Sequence, residues 1–360
     1  MRLLALNLEN FRNAKAAQFS FRGDRVFFLG SNGQGKTNLL EAIGMSATLR
    51  SFRKSGMESL VRDGANLARL FFRFSDEDGS QNEVILSFRS KGEKNLEVDG
   101  QKISRLGDYL GRFPAVALSY RDFRLVREGP SDRRKWLDLL LSSASRAYFS
   151  NLQSFHRALR ERNALLKKTG SSDSELGAFE QELAKTSVQL HSHRSEAIPL
   201  LAESMKGHYS KLSGDAEAVG MRYLPDLPNL SVEEMISRYA DDRERDRLLG
   251  MTRHGPHRDD LAFSINEQDA RSHASEGQQR GIVLALRLAE FFYLKKELRR
   301  IPLLLADDVL GELDQSRKAN FRKLLPPQAQ VFATGTSFPS PGEEAIWETY
   351  TVLAGRLCQS

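Results

Sequence analysis

One stretch near the start of the chain constrains the fold more than any other: residues 30–37, GSNGQGKT. It matches the pattern G-x-x-x-x-G-K-[ST], follows the apolar run at residues 26–29 and precedes a helical pattern from about Lys36. Glycines in such a loop let several backbone N–H groups converge on phosphate oxygens, and the helix N-terminus adds partial positive charge. The sequence therefore predicts a strand, a phosphate loop and a helix, as in an α/β nucleotide-binding fold.

The phosphate loop, residues 30–37, defines most of the nucleotide contacts that we predict. Lys36 is placed to reach the β and γ phosphates of ATP, and the Thr37 hydroxyl is a ligand for Mg²⁺. The predicted ATP contacts in and beside the loop are Gly30, Ser31, Asn32, Gly33, Gln34, Gly35, Lys36, Thr37 and Asn38. The alternative is a glycine-rich turn without a ligand, and the flanking strand and helix argue against it.

A carboxylate pair predicts the metal and water sites. The apolar run at residues 301–306 ends in Asp307 and Asp308, and the carboxyl end of a strand in this fold faces the phosphates. We predict that Asp307 shares the Mg²⁺ with Thr37. The predicted catalytic residues are Asp308, which orients and polarises the attacking water, and Lys36. An N-cap or an exposed turn is the alternative for this pair.

The two halves of this site are some 270 residues apart, and a helical insertion explains the distance. Residues 65–120 contain short alternating runs with turns, which are typical of antiparallel strands. After them, Leu137, Leu141, Tyr148, Phe155 and other apolar residues recur at helical spacing. We predict an ATPase lobe from residues 1–130 plus 251–360 and an all-helical arm at 131–250, with Pro199 breaking or kinking one helix.

The arm begins with a basic block. The net charge of the chain is +6, and residues 121–170 alone hold 12 Lys and Arg against 5 Asp and Glu. Such a block is either a surface for phosphate backbones or a solvated helix face. The sole cysteine is Cys358, and no apolar run approaches the length of a membrane span, so we expect a cytoplasmic protein without disulfides.

The signature turn, residues 275–280 (SEGQQR), offers a second anion site because it precedes an apolar helix. A simple helix cap is the alternative. Together with the phosphate loop, the turn resembles ABC-type ATPases, in which an S-x-G-Q motif binds the γ-phosphate held by a partner subunit. That resemblance implies that Ser275, Gly277 and Gln278 act in trans, in an ATP-dependent homodimer. It also implies a D-loop at residues 311–314, GELD.

Several further motifs resemble the bacterial RecF family from end to end. They are LENFRN at residues 8–13, the loop with Asn38, GPSDRR at 129–134, GPHRDD at 255–260, the signature turn, Asp307 with Asp308, and Glu312 with Asp314. The resemblance implies an ABC-type ATPase head, a mixed sheet with an antiparallel β subdomain, carrying the inserted arm. It also implies that Arg12 and Asn13 lie near the nucleotide. A surface cation is the alternative for Arg12.

The functional expectation follows from the same resemblance. It implies an ATP-dependent DNA-binding protein of recombinational repair that acts with RecO and RecR at gapped DNA and helps RecA to load. Many related ATPases have glutamate at the position of Asp308, so the shorter aspartate predicts slow hydrolysis. Candidate DNA contacts are the basic residues of the arm: Arg133, Arg134, Lys135, Arg146, Arg157, Arg160, Arg162, Lys167 and Lys168.

The sequence departs from the family and from related ATPases in two places. Residues 120–123 are YRDF where the family usually has Pro-Glu-Asp-Leu, and no histidine stands near residue 334 where transporters carry a switch histidine. Thr334 or Thr336 is the candidate replacement. His254, His257, Asp259 and Asp260 suggest a metal site by spacing, but we expect a hydrogen-bonded loop that joins arm and lobe.

Three other functions compete with this interpretation. A chromosome-maintenance ATPase needs a long coiled coil, whereas this arm has about 120 residues and no sustained heptads. The nucleotide-binding subunit of a transporter needs a switch histidine and a coupling surface rather than a basic arm. A P-loop kinase needs an acceptor pocket and has no use for the signature turn.

Overall fold

The structure is a computed structural model that describes residues 1–53, 56–214, 217–309, 315–338, 346–353 and 356–358. Its centre is a mainly parallel sheet of six strands: β3 (Arg25–Leu29), β8 (Ala115–Ser119), β12 (Leu303–Asp307), β13 (Val331–Gly335), β14 (Glu348–Leu353) and β15 (Arg356–Cys358). The order is β15-β14-β3-β13-β12-β8, and only the β14–β15 pair is antiparallel. Nearly continuous apolar runs form β3, β12 and β13, as expected for parallel strands covered on both faces.

An antiparallel sheet lies beside it. Its strands are β1 (Arg2–Phe11), β2 (Ala14–Ser20), β4 (Leu67–Ser75), β5 (Gln81–Arg89), β6 (Lys94–Val98) and β7 (Gln101–Lys102), in the order β2-β1-β4-β5-β6-β7. In β4 the residues Ala68, Leu70, Phe72 and Phe74 are buried and alternate with more exposed ones. This period of two buries one face of the sheet, so the antiparallel β subdomain predicted from the sequence is confirmed.

Neighbouring residues of the parallel strands belong to two different hydrophobic cores. Val26 and Phe28 of β3 pack in one core with the antiparallel sheet and helix α1 (Lys36–Thr48). Phe27, which lies between them, packs in the second core with the helices on the opposite face. Strands β12 and β13 alternate in the same way. The sheet that carries the nucleotide-binding edge is therefore the shared wall of two cores.

The second core is built from helices. After α1 they are α2 (Arg124–Arg127), α3 (Pro130–Ala144), α4 (Arg146–Lys167), α5 (Asp173–Ser213), α6 (Val232–Asp241), α7 (Arg243–Leu249), α8 (Ala270–His273), α9 (Glu276–Leu298) and α10 (Gln315–Leu324). Short 3₁₀ helices occupy Met57–Leu60, Leu106–Asp108, Tyr120–Phe123 and Pro256–Arg258. Capping boxes begin α5 at Ser172 and α6 at Ser231. Within the described part of the chain, no helix combines the length and apolarity that a bilayer crossing requires.

The prediction that residues 131–250 contain only helices is wrong. Val219–Leu224 forms a strand, β9, which pairs antiparallel with β10 (Asp260–Ile265), and β10 continues into the hairpin strand β11 (Gln268–Asp269). Val219 and Met221 are buried in the same core as α9. The arm and the chain that follows it thus share a small sheet as well as a core.

Pro199 does not break its helix. It lies inside α5, which runs without interruption for 41 residues. Helix α5 packs against α9, and buried Ile198 and Leu201 on either side of the proline belong to the common core. Tertiary packing therefore outweighs the loss of one backbone hydrogen bond at the proline.

Buried arginines hold the arm together. Arg162 is 0% exposed and bonds Glu180 at 3.0 Å and Asp246 at 2.7 Å, so its prediction as a DNA contact is wrong. Arg194 of α5 is also buried and bonds Asp259 at 2.6 Å, beyond the end of the arm. Removing one partner of such a pair would leave an uncompensated buried charge, so a substitution at either partner would destabilise the arm.

Candidate nucleotide-binding site

The phosphate loop lies between the end of β3 and the start of α1, as predicted. Gly33 and Gly35 adopt left-handed conformations, with φ of 80° and 102°, which glycine tolerates best. Lys36 is only 4% exposed, and its ammonium donates to the carbonyl oxygens of Gly30 at 2.7 Å and Ser31 at 3.1 Å. The lysine thus lies along the inside of the loop, where phosphate oxygens would replace those carbonyls as acceptors.

Two glycines of the loop are required by close neighbours. A Cβ on Gly30 would stand 2.6 Å from the carbonyl oxygen of Val352, and a Cβ on Gly35 would stand 2.9 Å from the Asn13 amide. The same Asn13 accepts a hydrogen bond of 2.8 Å from the Asn38 side chain. Asn13 and Asn38 therefore lie against the loop, and their contact with a nucleotide stays a prediction.

Arg12 braces helix α1. Its guanidinium donates to both carboxylate oxygens of Glu41, at 2.8 and 2.7 Å, and to the Ser59 carbonyl at 2.8 Å. Glu41 is fully buried, and Arg53 lies 3.7 Å from it. Arg12 is therefore not the surface cation of the alternative interpretation. The buried carboxylate of Glu41 was missed by sequence reasoning, although its place among apolar residues of a helix was a usable signal.

The carboxylate pair meets the phosphate loop across 270 residues of sequence. The Thr37 hydroxyl donates to Asp307 Oδ1 at 2.8 Å. Thr334, at the end of the neighbouring strand β13, donates to the same oxygen at 3.1 Å and accepts the Asp308 N–H at 2.9 Å. Of the two threonines considered as switch residues, Thr334 thus contacts the pair, whereas Thr336 is exposed to solvent.

Asp308 has an unusual backbone conformation. Its φ of 56° lies in the left-handed region, which costs free energy for a residue with a Cβ. The Thr334 hydroxyl holds its N–H, and its side chain is exposed to solvent. Residues held in this way cluster at functional sites, and this one turns a carboxylate outward at the edge of the sheet.

The electrostatics of Asp307 fit a divalent cation. Burial, and then the charge of Asp308, raise the pKa of Asp307, while the hydroxyls of Thr37 and Thr334 act in the opposite direction. The anion is therefore disfavoured until a positive charge arrives. A threonine hydroxyl and a carboxylate are hard oxygen ligands of the kind that Mg²⁺ prefers. Thr37 and Asp307 thus fit the predicted metal, with ATP phosphates supplying further oxygens.

The signature turn begins α9 and is satisfied by its own residues. Ser275 is the N-cap: its hydroxyl accepts the Gln278 N–H at 3.3 Å, and the Gln278 side chain accepts the Ser275 N–H at 2.6 Å. Gln278 also donates to Glu217 at 2.5 Å. Ser275 is exposed, and Gly277 lies near Arg317, which donates to its carbonyl at 3.0 Å. Ser275 is thus a helix cap, as the alternative interpretation predicts. Because the turn is at the surface, an anion can still approach the helix N-terminus.

A small cavity of about 40 Å³ connects the signature turn with the carboxylate pair. Arg280 from the first turns of α9, Asp122 from the 3₁₀ helix after β8, and Asp308 all line it. A cavity of this size holds no more than one or two waters. Arg280, the last residue of the signature turn, therefore lines the same small space as Asp308.

Residues 120–123 connect the sheet edge to the arm through a salt-bridge network that the sequence did not reveal. Asp122 accepts the Ser119 N–H at 2.8 Å and pairs with Arg287 of α9 at 2.5 Å. Arg287 pairs with Glu290 at 2.6 Å, and Glu290 accepts the indole N–H of Trp136 in α3 at 2.7 Å. The aspartate of the divergent YRDF segment thus links β8, the signature helix and the first arm helix.

The candidate DNA contacts divide into two groups. Arg133 is 8% exposed and forms a two-bond pair with Asp260, so its prediction as a DNA contact is wrong. Arg134 donates to the Asp259 carbonyl, and the exposed Arg146 pairs with Asp108. The remaining candidates of α3, α4 and the loop after them are exposed: Lys135, Arg157, Arg160, Lys167 and Lys168.

The loop after the arm is a hydrogen-bonded junction. His254 bonds Asp226 at 3.0 Å, and His257 bonds the Thr252 carbonyl at 3.0 Å. Burial lowers the pKa of His257 to about 4, so this ring is neutral at physiological pH. Within the described ranges, no three His, Cys, Asp or Glu side chains are grouped as metal ligands. The predicted D-loop, with Gly311, Glu312 and Asp314, lies outside the described residues.

Comparison with known proteins agrees with this geometry. Residues 2–337 match the family described as RecF/RecN/SMC N terminal domain. The protein named DNA replication and repair protein RecF from Microcystis aeruginosa is 37% identical, and the match covers 99% of this chain and all of the relative. This chain belongs to the RecF family. The protein of the same name from Nostoc punctiforme is 36% identical over 94% of both chains.

Solved structures support the same assignment. A structure described as the recombination mediator protein RecF with ATP, in the RecFOR pathway, has a TM-score of 0.91 and 31% identity. The match covers 99% of this chain and 97% of that one. The Smc head domain from Pyrococcus furiosus has a TM-score of 0.56 at 15% identity, which shows a shared fold alone. The predicted fold class, an ABC-type head with an arm, is confirmed.

Proposed function

We propose that this RecF-family chain is an ATP-dependent DNA-binding protein of recombinational repair. One observation carries the proposal: Thr37 and Asp307, 270 residues apart, are joined by a 2.8 Å hydrogen bond that makes the phosphate loop and the carboxylate pair one site. The site fits ATP, with Lys36 on the phosphates and Thr37 with Asp307 on Mg²⁺. Curated relatives are named as DNA replication and repair proteins, which supports the choice of DNA as partner.

We infer further that two copies enclose the nucleotides between them. The signature turn lies at an exposed helix N-terminus, and its cap bonds use the N–H groups of Ser275 and Gln278, so a second molecule can approach the turn. Asp308 is also exposed, although a carboxylate that activates a water works best where bulk solvent is excluded. Placing Ser275, Gly277 and Gln278 of a partner copy over the γ-phosphate would close the site and complete it.

The residues then act as follows in hydrolysis. Asp308 orients a water and accepts its proton as the water oxygen bonds to the γ-phosphorus and the bond to the β–γ bridging oxygen breaks. Lys36 stabilises the charge that develops on the phosphate oxygens, and Thr334 keeps the Asp307 carboxylate and the Asp308 backbone in place. Thr37 and Asp307 would hold Mg²⁺, which would offset negative charge on the phosphates of ATP. ADP and phosphate leave, and the interface between the two copies loses its shared ligand.

The partners follow from the relatives. The solved relative is described as a recombination mediator in the RecFOR pathway, which supports RecO and RecR as partners of this chain. RecA loading is the outcome that we propose for this assembly. Slow hydrolysis would act as a timer for release from gapped DNA. Family membership over residues 2–337 argues against a transporter subunit or a small-molecule kinase.

Light scattering tests this proposal directly. The molar mass of the wild type, Lys36→Met and Ser275→Arg is measured with and without ATP and Mg²⁺, in the presence and absence of gapped DNA. We expect the wild type to form dimers only when ATP is present, and we expect neither variant to form dimers. Ser275→Arg should still bind ATP, because its phosphate loop is intact.

A matched substitution controls for the added charge. Ser80→Arg lies in the exposed turn between β4 and β5 and should dimerise like the wild type. A monomeric wild type that hydrolyses ATP unaided would refute the shared site, as would normal dimers of Ser275→Arg.

A further inference from the structure

A large groove runs between the ATPase lobe and the arm. Its volume is about 1100 Å³. One wall comes from the end of α1, the following loop and β6, and the other from α3 and α4. On α4 the lining residues Phe149, Gln153, Arg157 and Arg160 recur at spacings of 4, 4 and 3, so one helix face is turned to the groove. We call this feature the junction groove.

The junction groove has an excess of positive charge. Its exposed cations come from both walls: Arg50, Lys94, Arg124, Lys135, Arg157 and Arg160. Among the described residues, none of these six forms an ion pair with a carboxylate within 4 Å. The Lys94 ammonium donates to the Leu49 carbonyl at 2.9 Å, and burial, followed by the nearby charge of Arg50, lowers the pKa of this lysine.

The acidic residues of the groove do not offset these cations. Asp122 and Glu290 are both paired with Arg287, and Asp138 is paired with the buried Arg194 at 2.7 Å. Asp132 is the fourth acidic residue of the lining. The groove therefore presents cations to a ligand, and Asp122, Glu290 and Asp138 are each engaged with an arginine.

The lining also contains aromatic and aliphatic surface. Phe52 and Phe149 are partly exposed and face the groove from opposite walls, and Leu106, Leu110 and Leu152 lie between the basic residues. Gly107 leaves room for the Phe149 ring, because a Cβ at residue 107 would approach the ring to 3.2 Å. Cations interleaved with flat apolar surface are typical of sites that bind single-stranded nucleic acids, whose bases stack on aromatic rings.

We propose that the junction groove binds a single-stranded DNA segment, with its phosphates on the six cations and its bases on Phe52 and Phe149. This inference rests on the proposed function for the class of ligand and on the groove for its location. A duplex hides the faces of its bases, so it would use the cations but not the aromatic rings. At gapped DNA, the groove would therefore hold the unpaired strand.

Fluorescence anisotropy with a labelled oligothymidylate of about 12 nucleotides tests the cations. The double variant Lys135→Glu/Arg157→Glu should weaken binding at least about 10-fold and flatten the log–log salt slope by about 1.4, since each lost phosphate contact contributes about 0.7. The matched control is Lys185→Glu/Lys206→Glu, which makes the same charge change on the exposed surface of α5, away from the groove. It should bind within about 2-fold of the wild type.

Phe149 tests the stacking. Phe149→Leu keeps an apolar side chain but removes the ring, and should weaken oligothymidylate binding about 5- to 100-fold, the range for one stacked base. Phe149→Tyr keeps the ring and should bind like the wild type. The affinity for duplex DNA of equal length should change little in either variant. If Phe149 only packs the helix, the leucine variant will bind like the wild type or will lose duplex and single strand equally.

The outcomes separate this inference from the proposed function. Wild type that binds gapped DNA with ATP, together with groove variants that bind the oligonucleotide normally, would overturn the inference and leave the function standing. Wild type whose DNA binding ignores ATP, with groove variants that lose the oligonucleotide, would overturn the function and leave the groove. Wild type that binds duplex but not oligothymidylate overturns the inference, and wild type that binds no DNA overturns both.

Discussion

The phosphate-loop edge and the signature turn both offer backbone N–H groups at a helix N-terminus, but they are prepared differently. At the edge, Thr37, Asp307 and Thr334 contact one another, and Asp307 holds a disfavoured charge. At the turn, Ser275 and Gln278 satisfy each other at the surface. The carboxylate of Asp307 at the edge therefore lacks a compensating cation. At the turn, the cap bonds between Ser275 and Gln278 stay in place until a phosphate competes for the N–H groups.

This difference assigns a different task to each region. The edge has a reason to bind nucleotide and Mg²⁺ in a single subunit, because binding relieves the cost of burying Asp307. The turn gains only when the phosphate of another copy replaces the internal cap. Substitutions at the edge should therefore change binding and chemistry in one subunit, and substitutions at the turn should change association.

The largest effect should come from Asp308→Asn. Removing the carboxylate removes the proton acceptor for the attacking water, so the rate of ATP hydrolysis should fall about 10²- to 10⁴-fold. ATP affinity and ATP-dependent dimerisation should remain, which phosphate release and light scattering would measure. Hydrolysis at the normal rate would show that this residue is not the base.

The next effect should come from Thr334→Val, which removes the hydroxyl that donates to the Asp307 carboxylate and accepts the backbone N–H of Asp308. The lost hydrogen bonds at a buried position should reduce kcat about 5- to 100-fold with little change in KM. Thr334→Ser restores the hydroxyl and should recover most of the activity. If serine were as defective as valine, the side chain would matter for its packing instead.

Asp307→Asn should separate stability from function at the edge. The variant removes a buried charge, so nucleotide-free protein should melt about 1–3 °C higher than the wild type, as followed by calorimetry. In the wild type, ATP with Mg²⁺ should raise the melting temperature more than ATP without Mg²⁺, and this difference should be lost in Asp307→Asn. An equal stabilisation by ATP with Mg²⁺ in both proteins would exclude Asp307 as a ligand.

The sign of the pH dependence follows from the raised pKa of Asp307. Between the unfolded pKa and the higher folded pKa, the native state binds more protons, so this residue lowers the free energy of unfolding as pH rises. The difference in stability between Asp307→Asn and the wild type should therefore grow with pH across that window and then become constant. A difference that shrinks with rising pH would contradict the assigned shift.

The smallest effect should come from Ser275→Ala at the turn. Loss of the N-cap should lower the free energy of unfolding by about 1 kcal/mol, measured by urea denaturation of the monomer. ATP binding to the monomer should be unchanged. A loss of nucleotide affinity in the monomer would mean that the turn contacts the nucleotide of its own subunit, and the comparison between the two regions would fail.

The sequence was sufficient to predict the residues at the phosphate-loop edge, because each motif there implies a particular backbone arrangement. A strand, a glycine loop and a helix leave few places for Lys36 and Thr37, and a parallel neighbour brings Asp307 to the same edge. The choice between Thr334 and Thr336 was not available, because it depends on how far β13 extends past its neighbour. Strand β9 was missed because its partner β10 begins about 40 residues later.

The basic arm shows where counting charges fails. Arg133 and Arg162 were grouped with the DNA candidates, yet they lie at helical spacing from the apolar residues Leu137 and Phe155 and are buried. Arg157 and Arg160 lie off that stripe and are exposed. The helical periodicity therefore already distinguished the buried arginines from the exposed ones. It could not identify the carboxylates that pair with the buried arginines, because these lie on segments that are distant in the sequence.

The alternation of β3 between two cores has a mechanical consequence. A slip of the strand by one residue would exchange Phe27 with its neighbours and disrupt packing on both faces at once. Head and arm should therefore melt in one cooperative transition, and a proteolytic fragment without α3–α5 would lose a large part of the core to which Phe27 belongs. Nucleotide binding and DNA binding by the arm should therefore be lost at the same temperature on heating.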